Sequence, residues 1–238
     1  MLRNTSLALA LLLACTVPAA ADTSVYAGLQ GLLLTGTHTD IAGSQHGIAG
    51  GAFLELGARV NRLDTRIEGV PPVSLPQAPS EHYGQATPQF SLLNGTFRYA
   101  VDRNERLWLG VGGTIINQRT PLPNLDQVVS SRLAGARYEV RYRVDTATNH
   151  FFEAVFGAAP HLTGTDYYIY SIPQPAVDRP EVAAEEDAMI AFGLRRGSDE
   201  WLVGLRTINF SAKFVLTGDA ADRNNGGGPI LEWRRLLR

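Results

Sequence analysis

Between Ile48 and Glu68 apolar and polar positions alternate, and the phase of the alternation reverses once. Ile48, Gly50, Ala52, Leu54, Leu56, Ala58 and Val60 share one parity, while Glu55, Gly57, Arg59 and Asn61 share the other. Past Asn61-Arg62 the parity flips, so that Leu63, Thr65, Ile67 and Gly69 oppose Arg62, Asp64, Arg66 and Glu68. Successive strand side chains point to opposite faces. The segment therefore predicts a hairpin with one apolar and one ionic face. A soluble sheet would bury the apolar face. A membrane barrel would turn it to lipid and close the charges into a lumen.

The same period recurs along the chain. A first strand covers Ser24 to Gly36, with Val25, Ala27, Leu29 and Leu33 opposite Tyr26, Gly28 and Gln30. Phe90 to Val101 and Leu107 to Gln118 flank the polar turn Asp102-Arg103-Asn104-Glu105. In Ser131 to Val144, Ala134, Ala136, Tyr138, Val140, Tyr142 and Val144 oppose Arg137, Glu139, Arg141 and Arg143. Phe152 to Ala158, Ala188 to Arg195, Trp201 to Phe214 and Pro229 to Arg238 complete the set. Tight joins fall near Asn61, Asn104, Ala147 and Ser198. Long ones cover Thr37 to His46, Gly69 to Gln89, Arg119 to Val129, Pro160 to Glu186 and Gly218 to Gly228. The expectation is an all-β, up-and-down antiparallel transmembrane β-barrel of about ten strands, eight or twelve being the neighbouring even counts. Tyr99, Tyr142, Phe152 and Trp201 lie on the apolar face beside tight turns, as an aromatic girdle at a headgroup zone requires.

The amino terminus places this ribbon in a compartment. Arg3, an apolar run from Ser6 to Cys15 and the site Ala19-Ala20-Ala21 have the form of a secretory signal over residues 1–21, leaving 22–238 as a single β-barrel domain. Leu12-Leu13-Ala14-Cys15 offers a competing lipoprotein cut. Cys15 is the only cysteine, so the exported chain has no disulfide, thiolate metal site or cysteine nucleophile. A formal charge of −2 argues against a nucleic-acid partner. Beyond the signal no stretch has about 18 unbroken apolar residues, which excludes spanning helices but not spanning strands.

Taken together, the signal, the cysteine-free body, the glycine-rich alternating strands and the short-turn, long-loop rhythm resemble the outer-membrane β-barrel proteins of Gram-negative bacteria over the whole exported length. That resemblance implies localisation in the cell outer membrane, lipid contact, handling by the barrel-assembly machinery and an extracellular ligand met through the long loops. Members of the class commonly end on an aromatic residue. Here Trp233 is followed by Arg234-Arg235-Leu236-Leu237-Arg238, a departure from the pattern.

The polar parity predicts what fills the lumen: Arg59, Arg66, Arg98, Arg137, Arg141, Arg143, Arg195, Arg206 and Arg234, with Glu55, Asp64, Glu68, Glu139, Glu153 and Glu232. Cross-barrel ion pairs would satisfy these charges and occlude a narrow bore; a narrow anion-favouring conduit is the second reading. His38, Asp40 and His46 near one loop, and His161 with Asp166 near another, are the candidates for a rim general base. No nucleophile motif or convincing third metal ligand accompanies them, so no catalytic, cofactor-binding or metal residue is assigned. The functional expectation is a non-enzymatic outer-membrane barrel with a structural, surface-contact or limited-permeation role. The alternatives are an outer-membrane hydrolase with a rim His/Asp site, and a soluble periplasmic or lipidated barrel that encloses an apolar ligand.

Overall fold

The computed structural model describes residues 23–40, 43–74, 89–125, 127–170, 178–215 and 220–237. The expected signal segment, residues 1–21, and Cys15 within it lie outside the described residues. Ten strands follow in order: β1 (Thr23–Asp40), β2 (Gly43–Val60), β3 (Leu63–Ser74), β4 (Gln89–Ala100), β5 (Leu107–Leu122), β6 (Gln127–Ala147), β7 (His150–Tyr170), β8 (Asp178–Arg196), β9 (Asp199–Phe214) and β10 (Ala220–Leu237). Each pairs antiparallel with its sequence neighbours, and β1 closes on β10 to make a complete barrel. Val25 pairs with Leu237, so the first and last strands meet at one end.

All four tight joins sit at that end. Asn61-Arg62, Thr148-Asn149 and Gly197-Ser198 are two-residue links, and 101–106 is the longer turn. Asn61 and Gly197 have positive φ (52° and 64°), as short hairpin links demand. In the longer turn, Asp102 Oδ1 accepts the N–H groups of Arg106 (2.7 Å) and Leu107 (2.8 Å). The Leu107 N–H, joined by that of Arg106, holds this carboxyl below the usual aspartate range, against a smaller opposing effect of desolvation.

The expected long connections are shorter than the sequence reading gave. β1 and β2 run to Asp40 and from Gly43, and between β5 and β6 lie residues 123–126, of which Pro123–Leu125 form a 3-10 turn with Asn124 at its centre. β3 continues through Pro71-Pro72, which lie at a register irregularity between Val70 and Val73, where the missing N–H interrupts no regular ladder. β8 starts at Asp178, ten residues before Ala188, and β10 at Ala220 inside the expected glycine-rich loop. Residues of the 75–88 and 171–177 connections are outside the description. β5 to β10 are 16 to 21 residues long. About 9–11 would suffice to cross a hydrocarbon core, so these strands are longer than a span needs.

The outer wall is apolar. Leu54, Val111, Phe192 and Val203 are 59%, 59%, 71% and 62% exposed. On β6 the outward run Ala134 to Val144 takes ten residue steps, roughly 33 Å of strand; at a tilt of about 40° that projects to about 25 Å, the height of a barrel's lipid-facing band. Exposed Arg119, Arg132 and Lys213 lie on the long-loop side of this belt, and Arg103 and Arg235 on the other; exposed Glu186 pairs through Ala158 with Tyr138. At the short-turn margin Tyr99, Tyr142 and Trp201 are exposed. Trp201 stacks near Trp233 (centroids 6.4 Å apart), Phe152 meets Phe192 edge-on, and Arg62 lies over Tyr99. Val140 is exposed while Arg141 is buried. This is the inverse of a soluble barrel that encloses an apolar ligand.

Candidate functional site

The inward faces carry two kinds of filling. One is apolar: Phe53, Leu92, Ile116, Leu133, Leu162 and Phe210 are each at most 2% exposed and belong to a single cluster. The other is ionic. An isolated charge in a low-dielectric interior costs several kcal/mol, so each must find a partner, and the register brings them together. Arg98 reaches Asp64 (2.5 Å) and Glu139 (3.1 Å), and Arg66 reaches Glu139 (3.0 Å). Arg206 bridges Glu68 (2.8 Å) and Asp187 (2.5 Å), while Arg137 bridges Glu185 (2.7 Å) and Asp187. Glu153, fully buried, is the hub of the short-turn half, accepting from Arg141 (2.8 Å), Arg234 (3.0 Å) and Arg143 (3.5 Å).

Neutral groups complete the network. Gln30 donates to Glu232 (2.7 Å) and accepts from Arg206 (2.9 Å). The Tyr26 hydroxyl donates to Asp64 (3.2 Å) and accepts from Arg98 (3.1 Å). Two inward glycines make room. A Cβ at Gly57 would strike the Tyr26 ring, and one at Gly157 would strike the Arg137 guanidinium. These are sites of close approach, and only hydrogen fits.

The charges are distributed unevenly along the axis. The long-loop half holds Glu68, Glu181, Glu185 and Asp187 around Arg137 and Arg206. At the short-turn end arginine predominates, and a cavity of about 410 Å³ opens there. Tyr26, Asp64, Arg141 and Arg234 line its buried part; Arg59, Arg106, Arg195 and Glu105 line its more exposed part. Arg59 is ion-paired to Glu105 and lies over the Trp108 ring at 4.7 Å. Trp108 Nε1 in turn donates to the Glu105 carbonyl (2.8 Å).

Every arginine and carboxylate expected inside is found on the inner face. Glu181 and Glu185 were missed because 160–186 read as a loop, and Asp187 because the following strand was started at Ala188; the alternation of Glu181, Ala183, Glu185 and Asp187 with Val182, Ala184 and Glu186 is the signal that identifies the strand. Glu200, read as part of a turn, is buried and binds Arg143 (2.7 Å) and Arg195 (3.0 Å). Of the rim candidates, His161 alone has a described side chain. His161 is exposed beside Pro160 at a register shift of β7, both facing away from the lumen. For His38, Asp40, His46 and Asp166 only backbone pairing is described, with His38 opposite Gln45 and Asp166 opposite Ser131. Among the described residues no three His, Cys, Asp or Glu side chains cluster as a metal site.

No protein-family model matches the chain, and no curated protein matches it. Similar solved structures include the outer-membrane protease OmpT of Escherichia coli, at 9% identity and a TM-score of 0.49, covering 94% of this chain and 100% of that one. Neisserial surface protein A aligns at 12% identity and a TM-score of 0.41, over 90% of this chain and 97% of its own. The β domain of the Bordetella autotransporter BrkA aligns at 12% identity and 0.44, over 90% and 98%.

Proposed function

We propose that this chain is an integral outer-membrane barrel of a Gram-negative cell, exported through its amino-terminal signal, with a structural or surface-contact role and no catalytic or pore-forming one. The observation that carries the reading is the inversion of the fold: aliphatic and aromatic side chains outside, ion pairs and a packed apolar cluster inside. A basic residue facing lipid near the midplane costs about 2–4 kcal/mol, which accounts for Arg66, Arg98, Arg137 and Arg206 all turning inward. Outer-membrane lipids are then the principal partner, the barrel-assembly machinery delivers the chain, and the long strands carry the loops that meet an extracellular ligand.

Both halves of the proposal are testable. Cell fractionation should leave the protein in the membrane pellet until detergent is added, with heat-modifiable mobility on a gel; release by osmotic shock refutes membrane insertion. In planar bilayers the purified protein should give no steady single-channel conductance. Stable stepwise openings would refute the closed lumen and restore the permeation role. Loss of a protease or lipase activity on substitution of His38 and His161 would refute the non-enzymatic reading.

A further inference from the structure

The cavity at the short-turn end has a chemistry that the closed-lumen proposal does not use. Six arginines and four carboxylates line it, the carboxylates being Asp64, Glu105, Asp145 and Glu200. Most of these carboxylates are already engaged. Asp64 is held by Arg98 at 2.5 Å, Glu105 by Arg59, and Glu200 by Arg143 and Arg195. Beneath them Glu153 is shared among three guanidiniums. Of the two buried arginines at the wall, Arg141 is the less satisfied. It is 8% exposed, its Nη2 is spent on Glu153 at 2.8 Å, and its Nη1 comes no nearer than 3.8 Å to Asp64. Donors of a buried guanidinium left unspent at the wall of a cavity mark a place where an acceptor belongs.

We propose that this cavity is a binding site for a small organic oxyanion, a carboxylate or a phosphate ester, that enters from the short-turn end. Arg141 and Arg234 in the buried part supply the fixed donors. Arg195 and Arg106, nearer the mouth, supply mobile charge that draws the anion in. The volume is in the range of small-molecule sites, larger than a bare inorganic ion needs. Opposite charges in the other half of the lumen, where Glu68, Glu181, Glu185 and Asp187 collect, keep the anion from travelling on, and the apolar cluster blocks passage. The site is a pocket with one door. Its existence does not depend on the membrane assignment, because it follows from the lumen alone.

The test uses the full exported chain refolded in detergent and titrated calorimetrically with inorganic phosphate and, separately, with citrate, against chloride at matched ionic strength. Saturable binding of one or both oxyanions is expected, and the stronger one identifies the headgroup. Replacing the two outer arginines together, Arg106→Gln and Arg195→Gln, should weaken binding at least fivefold, whereas Lys213→Gln on the outer wall should leave it unchanged. Since Arg59 lies over Trp108, the bound anion should also change tryptophan emission, and Trp108→Phe should abolish that change while binding persists. A response to phosphate and citrate no larger than to chloride overturns the proposal. So does an affinity indifferent to the outer arginines.

Discussion

Glu153→Gln is the sharpest probe of the lumen because it changes one charge and almost no volume. The carboxylate is fully buried and accepts from Arg141 Nη2 at 2.8 Å, from Arg234 at 3.0 and 3.1 Å, and from Arg143 at 3.5 Å. Two of those arginines have other partners. Arg143 keeps Glu200, and Arg234 keeps Glu232 and, at 3.4 Å, Glu55. Arg141 is left with Asp64 at 3.8 Å, a carboxylate already held by Arg98. The loss is therefore that of one stranded buried guanidinium, for which about 3–5 kcal/mol is typical. Removing the stranded charge as well, in Glu153→Gln/Arg141→Met, should return at least about 2 kcal/mol of that, a coupling of the size expected for directly contacting groups. Urea-driven unfolding from lipid vesicles, followed by tryptophan fluorescence, measures both. If Glu153→Gln lies within about 1 kcal/mol of the parent chain, or if the double variant is no more stable than the single, the hub assignment is wrong.

Further outcomes follow from the outer wall, the turn and the glycines. Val111→Arg on the lipid-facing side should destabilise the barrel in vesicles by about 2–4 kcal/mol and Val111→Leu by little; equal effects would refute the belt. Because Asp102 has a depressed pKa, its contribution to the 101–106 turn is complete above the ordinary aspartate value, near pH 4, and disappears as pH falls through the lower folded value. Amide exchange at Arg106 and Leu107 should therefore quicken below about pH 4 in the parent chain and lose that pH dependence in Asp102→Asn. Gly57→Val should cost about 1–3 kcal/mol by overpacking against Tyr26, detectable in the same urea titration, whereas Gly50→Val, with open space around its Cβ, should cost less.

The sequence made the barrel legible wherever the two faces differed in kind. From Leu54 to Glu68 and from Ala134 to Val144, aliphatic and ionic residues alternate so consistently that the strands, the turn and the division into two unlike faces could be read. The single parity flip at Asn61-Arg62 locates a two-residue link that the structure closes with a positive φ. Legibility failed where the outward face was short and mixed. Around Glu181 to Asp187 the inward parity is acidic, but outward Val182 and Ala184 are followed by Glu186, so no continuous apolar stripe marks the strand. Proline misled in the same way at Pro71-Pro72, because a strand irregularity and a loop look alike in one dimension. The apolar filling was also invisible. Phe53, Leu92 and Leu133 occupy the polar parity of their strands, and only the closed geometry shows that they meet. Nor could spacing reveal which arginine would lack a counter-charge, since that depends on contacts such as Arg234 with Glu153, 81 positions apart.

Closure of β1 on β10 has a consequence for the order of events in the life of the chain. The ribbon's first strand must wait for its last, and until Ala220–Leu237 is delivered every earlier intermediate presents two raw margins of unpaired peptide groups. Hydrocarbon offers those groups no substitute partner, so a chain shortened by one hairpin is not a slightly smaller cylinder but an open gutter. Nonsense or proteolytic loss of the carboxyl-terminal strand should thus abolish insertion outright rather than weaken it by degrees.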